Sequence, residues 1–354
     1  MACPGTESAE YNDAGIQIYE GLEPIRRRPA MYLGGTDAPG LHHMLFELVR
    51  ESLEPVSAGS VQVMLRTNRS AEVVDDREPP AQVEHLFTAI HAGLHDNLSC
   101  AIANALSAEL SVVARSPGSR YHHSFRQGAT HAVLQTGGPP DDRGLTVRFR
   151  PDPAIFGTAS FDAHTVRNRM RQYAFLHSGV RITFTDEASG TSDVFEFADG
   201  IREYVQHLNA GRTPLHPDVI VIRGDAEGVR YEVGLQWCAE EDEQTESFAN
   251  DYRTTNGGAH VTGLRDAVTR TLNDYIRERL PSVRPLTGEA ARRGLTAVVS
   301  VRLHQPQFWG ATRDRLNSPE AERVVTAGVQ QFLCNYFEAS QDAAARIVSA
   351  ANMK

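Results

Sequence analysis

Three observations predict a two-domain α+β fold for this chain. It has 354 residues, more than twice the roughly 150 of an average domain. Strand-like alternation and helical periodicity are mixed irregularly through both halves, without a regular β–α repeat. The segment AGRTPLHPD (Ala210–Asp218) holds a glycine, two prolines and no apolar period, so it reads as a connector between the halves.

The elements follow in order. Residues 1–15 are polar and read as an arm. Leu41, Met44, Leu45, Leu48 and Val49 recur at helical spacing, predicting a helix over Leu41–Ser57. Val61, Val63 and Leu65 alternate as in a strand, with Glu72–Asp75 as its partner. Helices are expected near Val83–His91 and Asn97–Leu106. Strands follow at Leu110–Arg115, Tyr121–Arg126, His131–Gln135 and Thr146–Arg150, the last stopped by Pro151 and Pro153. A helix near His164–Leu176, strands near Val180–Thr185 and Val194–Phe197, and a helix near Ile201–Leu208 close the first half. Beyond the connector come strands Val219–Arg223 and Val229–Trp237, a long helix His260–Arg279, a strand Ala297–Leu303, and a helical stretch from Pro319 to the end.

Composition narrows the function classes. Lys and Arg total 35 against 45 Asp and Glu, a net charge of −10, which argues against a protein that coats nucleic acid and makes DNA an unexpected partner. No apolar run approaches the roughly 18 residues of a membrane span. The N-terminus lacks the basic-then-apolar pattern of a signal peptide. Cys3, Cys100, Cys238 and Cys334 are far apart with no CxxC, so neither a zinc site nor a redox dithiol is expected, and reduced thiols suggest a cytoplasmic protein.

Seven segments, taken together, carry a family resemblance. They are EGLEPIRRRPAMYLGGT (Glu20–Thr36), GLHHMLFELV (Gly40–Val49), HAGL (His91–Leu94), NALS (Asn104–Ser107), TVRF (Thr146–Phe149), NGGAHVTGLRDAVTRTLN (Asn256–Asn273) and LTGEAARRGLTAVVSV (Leu286–Val301). In this order they resemble the ATPase half of the DNA gyrase B protein. The resemblance implies a GHKL (Bergerat) α/β sandwich over residues 1–215, including the arm, and a ribosomal-protein-S5-like transducer domain over 216–354. It also implies that the chain stops where the transducer's last helix ends, without the TOPRIM module that cleaves DNA.

The departures from the family pattern concern the nucleotide site. The family's general base is matched by Glu47, but its magnesium-binding Asn is replaced by Glu51. Asp75 stands at the adenine-recognising carboxylate, yet the glycines that follow it in the family become Arg77 and Pro79, which add bulk and stiffness. The phosphate-wrapping lid is almost wholly deleted from HAGLHDNLSCAIANALS, with Asp96 and Asn97 in place of a glycine-rich turn. The family's Gly-Thr becomes Gly144–Leu145, and its Gln-Thr-Lys becomes Ala311–Thr312–Arg313, trading a point charge for a planar fork.

Candidate residues follow from these matches. His43 and Glu47 lie four apart on one helix face, a spacing that suits proton transfer. Asp75, Glu51, Arg77, Leu145 and Arg313 are the expected ligand-binding residues. Asp75 is alternatively a turn carboxylate satisfied by Arg77 or a nearby amide, and Arg50–Glu51 an exposed charge pair. His42 is expected to be structural. The resemblance makes Tyr11 and Ile16 arm residues that reach a second protomer, so a homodimer is expected. No cofactor or metal is expected. Three functions compete: a repurposed pocket that binds and transforms a small organic molecule by acid/base chemistry (a cyclase, isomerase or hydrolase), a non-catalytic binding or immunity protein related to gyrase, and the ATPase component of an ATP-dependent topoisomerase.

Overall fold

The computed structural model describes residues 21–53, 59–90, 98–139, 141–310 and 312–352. The chain begins with two short helices, α1 (Glu23–Arg27) and α2 (Ala30–Leu33), followed by α3 (Ala38–Leu53). The side chain of Asp37 accepts the Gly40 amide at 3.2 Å and so closes the open N-terminus of α3. Leu41, Met44, Leu45, Leu48 and Val49 form the buried stripe of α3, as their spacing predicts. Next come β1 (Ser60–Leu65), β2 (Ala71–Asp75), α4 (Val83–Thr88), α5 (Ser99–Ala105), β3 (Ser107–Ser116), β4 (Ser119–Arg126), β5 (Ala129–Gly137) and β6 (Gly144–Pro151). The first half ends with α6 (Pro153–Phe156), α7 (Ala163–Leu176), β7 (Arg181–Asp186), β8 (Thr191–Phe195) and α8 (Ile201–Leu208).

These strands form an eight-stranded sheet in the order β5-β4-β3-β6-β2-β1-β7-β8. Only the β1–β7 pairing is parallel; the rest are antiparallel. Its core joins α3, α5 and α7 to the inward faces of the strands through Val63, Val73, Val112, Phe149 and Phe184, all nearly inaccessible. The register sets Asp75 at the end of β2 opposite both Val61 of β1 and Leu145 of β6.

The second half contains β9 (Ile220–Ala226), β10 (Val229–Trp237), β11 (Gln244–Ala249), β12 (Tyr252–Arg253), α9 (Ala259–Arg279), α10 (Gly288–Ala291), β13 (Leu295–Leu303), α11 (Pro319–Ala339) and α12 (Gln341–Asn352). Its five strands run β12-β11-β13-β10-β9. The long helices α9 and α11 pack on each other and, with the sheet, enclose a second core around Trp237, Leu264, Val268, Val299 and Leu333. A third, smaller cluster bridges the halves: Phe175 of α7 and Tyr204 and Val205 of α8 meet Phe248 of β11 and Val298 of β13.

The layered α+β architecture expected from the sequence is present. Differences are local. α1, α2, α6, α10, β11 and β12 have no counterpart among the expected elements, and the last helical stretch breaks at Ser340 into α11 and α12. Most of these additional elements are too short to show a period. β11 is long enough, but its burial runs in two blocks without alternating. No helix among the described residues is long and apolar enough to cross a membrane.

Candidate functional site

The site lies where α3, the ends of β2 and β6, the start of α5 and the β11–β12 hairpin of the second sheet converge. Glu47 faces inward from α3 and is 7% exposed. Its Oε2 accepts hydrogen bonds from Arg50 Nη2 at 3.0 Å, Ser99 Oγ at 3.1 Å and the Tyr252 hydroxyl at 2.8 Å. Arg313 Nη1 lies 3.9 Å from the same oxygen and also donates to the Tyr252 hydroxyl. The Tyr252 ring has the Arg313 guanidinium 4.3 Å and the Arg50 guanidinium 5.0 Å from its centroid, within cation–π range for both. Burial alone would raise the Glu47 pKa, but Arg50, His43 and Arg313 outweigh it and hold the carboxyl below its usual range.

His43 sits one turn before Glu47, with Nε2 4.0 Å from Oε1, too long for a hydrogen bond. Burial lowers its pKa more than Glu47 raises it, which favours a neutral imidazole. His42 is structural, as expected: it is 7% exposed and its Nε2 accepts the Asp162 amide at 2.8 Å.

Asp75 is satisfied from within the chain. Oδ2 accepts from Ser52 Oγ at 2.8 Å and Arg77 Nη2 at 3.0 Å, and Oδ1 from the amides of Arg77 at 3.1 Å and Leu145 at 3.3 Å. The guanidinium of Arg77 thus lies directly on the carboxylate, with Nε also at 3.3 Å. Gly144 permits the close approach of β6: a Cβ there would lie 2.0 Å from the Asp75 carbonyl oxygen, and its φ is +127°. Leu145 is 8% exposed and belongs to the core cluster of the first sheet.

Glu51 is only partly compensated, by Arg50 and by a Ser99 hydrogen bond. Its Oε1 is buried without a hydrogen-bond partner, with Arg50 Nη2 3.8 Å away. Burial pushes its carboxyl up to about 7, against the opposing pull of Arg50. The expected exposed Arg50–Glu51 pair is corrected here: both side chains are largely buried, and Arg50 turns to Glu47 because that carboxylate offers a direct hydrogen bond.

The structure therefore gathers His43, Glu47, Glu51, Asp75, Arg77, Leu145 and Arg313 around one region, in two clusters centred on Glu47 and Asp75. Tyr11, Ile16, His91–Leu94, Asp96, Asn97 and Ala311 lie outside the described residues. Sequence reasoning missed Tyr252, Ser99 and the orientation of Arg50. Arg50 follows Glu47 by three residues on a helix, a spacing that signals such a pair. Tyr252 comes from another sheet and left no local signal. Among the described residues, no group of three His, Cys, Asp or Glu is placed to hold a metal ion.

This fold is an α+β sandwich coupled to a second α+β layer, and the comparisons with known proteins place it in one family. The family model described as DNA gyrase B matches residues 200–354. The DNA gyrase B protein of Haloferax lucentense is 38% identical over 98% of this chain, which spans 59% of that relative's length. Among solved structures, the 43K ATPase domain of Thermus thermophilus gyrase B, crystallised in complex with an aminocoumarin, matches at a TM-score of 0.79 and 30% identity. That match covers 93% of each chain. The gyrase B protein from Myxococcus xanthus matches at a TM-score of 0.80 and 25% identity, over 92% of this chain and 99% of that one. The chain belongs to the gyrase B ATPase-domain family.

Proposed function

We propose that this chain is a nucleotide-independent member of its family, acting by binding and not by ATP hydrolysis. The observation that carries the reading is the Arg77 guanidinium seated on Asp75, where an adenine amino group would have to donate. Three further features support it. Glu47 Oε2 already accepts from Arg50, Ser99 and Tyr252, and the nearby guanidinium groups hold the carboxyl below its usual range, which weakens it as a base toward water. Glu51 replaces an amide ligand with a carboxyl group. Arg77 and Pro79 replace glycines. The same crowding argues against Glu47 and His43 as an acid/base pair for another substrate.

The binding partner we propose is a second gyrase-B-type chain, in the simplest case another copy of this one, with Tyr11 and Ile16 reaching across. The division at 215/216 into a GHKL-like and a transducer-like unit is part of the proposal. The relatives are named as parts of a DNA enzyme, so association with DNA belongs among the functions to be measured, although the acidic balance of this chain favours protein contacts. A working ATPase is the second reading, favoured by the 38% identity to a DNA gyrase B protein and the retained His43–Glu47 spacing.

Calorimetric titration with a non-hydrolysable ATP analogue and magnesium separates the two. The expected result is no saturable binding at micromolar concentrations. Tight binding, or steady phosphate release abolished by Glu47→Gln, would overturn the proposal.

A further inference from the structure

The hairpin of β11 and β12 turns through Asn250 and Asp251, between the pairs Phe248–Arg253 and Ala249–Tyr252. Both turn residues have positive φ, +46° and +62°, as a tight hairpin turn of this kind requires. Neither is glycine, and two such residues in succession persist only where their surroundings hold them. Asn250 is held by β13: its Nδ2 donates to the Leu303 carbonyl at 2.7 Å and its Oδ1 accepts the Leu303 amide at 2.8 Å.

Asp251 reaches the other half of the chain. It is fully buried. Its Oδ2 lies 2.9 Å from Nε2 of His177, the residue that follows α7, and its Oδ1 accepts from Arg302 Nη2 of β13 at 3.0 Å. Its carbonyl accepts from Arg169 of α7. That guanidinium lies 4.5 Å from the centroid of the Tyr173 ring and 5.7 Å from that of Phe248, so it too joins α7 to β11. Burial alone would raise the Asp251 pKa, but His177 and Arg302 outweigh it and hold the carboxyl well below its usual range. A buried anion of this kind is left strongly uncompensated when a partner is lost.

The next residue is Tyr252, whose hydroxyl donates to Glu47 Oε2 at 2.8 Å. Consecutive residues of the second half therefore make two contacts with the first: Asp251 fixes the turn to the end of α7, and Tyr252 covers Glu47. A movement of the second half away from α7 carries Tyr252 with it, because a single peptide bond joins the two residues. Arg50 and Ser99, the other groups on this oxygen, belong to the same half as Glu47 and stay behind.

We propose that this turn is an autoinhibitory latch, in which Asp251 positions Tyr252 on Glu47 only while the second half is docked on α7. Undocking releases both contacts together and opens one side of the carboxylate. The latch acts whether or not the chain binds nucleotide, so it goes beyond the reading above and does not depend on it.

The test follows Tyr252 in the full chain by nuclear magnetic resonance, with tyrosine labelled at its ring carbons. The Tyr252 signal is assigned by its loss in Tyr252→Phe. Glu47→Gln should shift it in the parent protein, since the two side chains touch. Two substitutions then probe the latch. Asp251→Asn removes the charge and keeps a residue that tolerates positive φ; His177→Gln alters only the other half. In either background, Glu47→Gln should no longer shift the Tyr252 signal. Signals of Tyr231, Tyr275 and Tyr336 around the second core should stay in place, which separates release of the latch from general unfolding. A variant that does not fold is replaced by Arg302→Gln, which removes the most exposed of the three partners. The proposal is overturned if Glu47→Gln leaves the Tyr252 signal of the parent unmoved. It is equally overturned if the folded latch variants keep the full response to Glu47→Gln. The nucleotide titration reads neither shift, so the two proposals fail separately.

Discussion

Glu51 is a carboxyl group buried beside Arg50 without a hydrogen bond to its Oε1, and its position has a consequence for stability. Its pKa rises to about 7, from a usual value of 4.5. An unfolded chain gives up this proton near 4.5, whereas the folded chain keeps it to about 7. Folding therefore takes up a proton between those values, and this contribution to stability is lost as pH rises through that window. The full effect is roughly 3 kcal/mol. Glu51→Gln keeps the shape and removes the titration. Urea unfolding of both proteins at pH 5 and pH 8 should show the variant gaining on the parent at the higher pH. An identical difference at both pH values would show that Glu51 is ionised in the folded protein. At this scale the sequence is partly readable. Asp75, Arg77 and Glu47 stand out by their positions in the motifs, and their proximity follows from strand register and helix spacing. Ser52 and Ser99 are small hydroxyls without a distinctive pattern, and the partners that satisfy the carboxylates become visible only in three dimensions.

Among the elements, α9 and α11 show why a long amphipathic helix is easy to anticipate and its packing is not. The period of Val261, Leu264, Val268 and Leu272 is plain in the sequence, and all four are buried. The closeness of the two axes is set by Gly263, where a Cβ would lie 2.5 Å from the Glu322 carbonyl oxygen and 3.0 Å from Thr326 Oγ1. The nearest of these atoms is backbone, which cannot rotate away. Gly263→Ala should therefore destabilise the protein by about 1–3 kcal/mol, the usual range for overpacking, despite the better helix propensity of alanine. A thermal melt that is unchanged or raised would mean that the helices separate without cost. The β11–β12 hairpin is the opposite case. Gln244–Ala249 carries no alternation of apolar residues: it pairs with β13 in one unbroken parallel register, but its first three residues are half-buried and its last three buried. It nonetheless delivers Tyr252 to Glu47.

For the whole molecule, the α+β layering is legible because it depends on the order of elements, which is a sequence property. Association is less directly encoded. If the nucleotide that orders the arm in the family does not bind, a dimer must rest on protein contacts alone. Light scattering of the protein without nucleotide should give twice the chain mass of 38.9 kDa, and deleting residues 1–18 should lower it. An unchanged mass after the deletion would remove Tyr11 and Ile16 from the interface.

The two clusters around Glu47 and Asp75 also bear on the evolutionary history open to such a chain. Arg77 covers Asp75, and a separate set, Arg50, Ser99 and Tyr252, occupies Glu47. Reverting Arg77 to glycine would release one carboxylate and leave the other held, and losing Tyr252 would still leave Arg50 and Ser99 on Glu47. On the nucleotide-independent reading proposed above, each single reversal would surrender a buried interaction and recover no catalysis by itself. Selection would then see only the loss, so a return to nucleotide chemistry would require several coordinated changes. The paired contacts would act as a ratchet, and lineages carrying them should drift further from the ancestral activity without drifting from the fold.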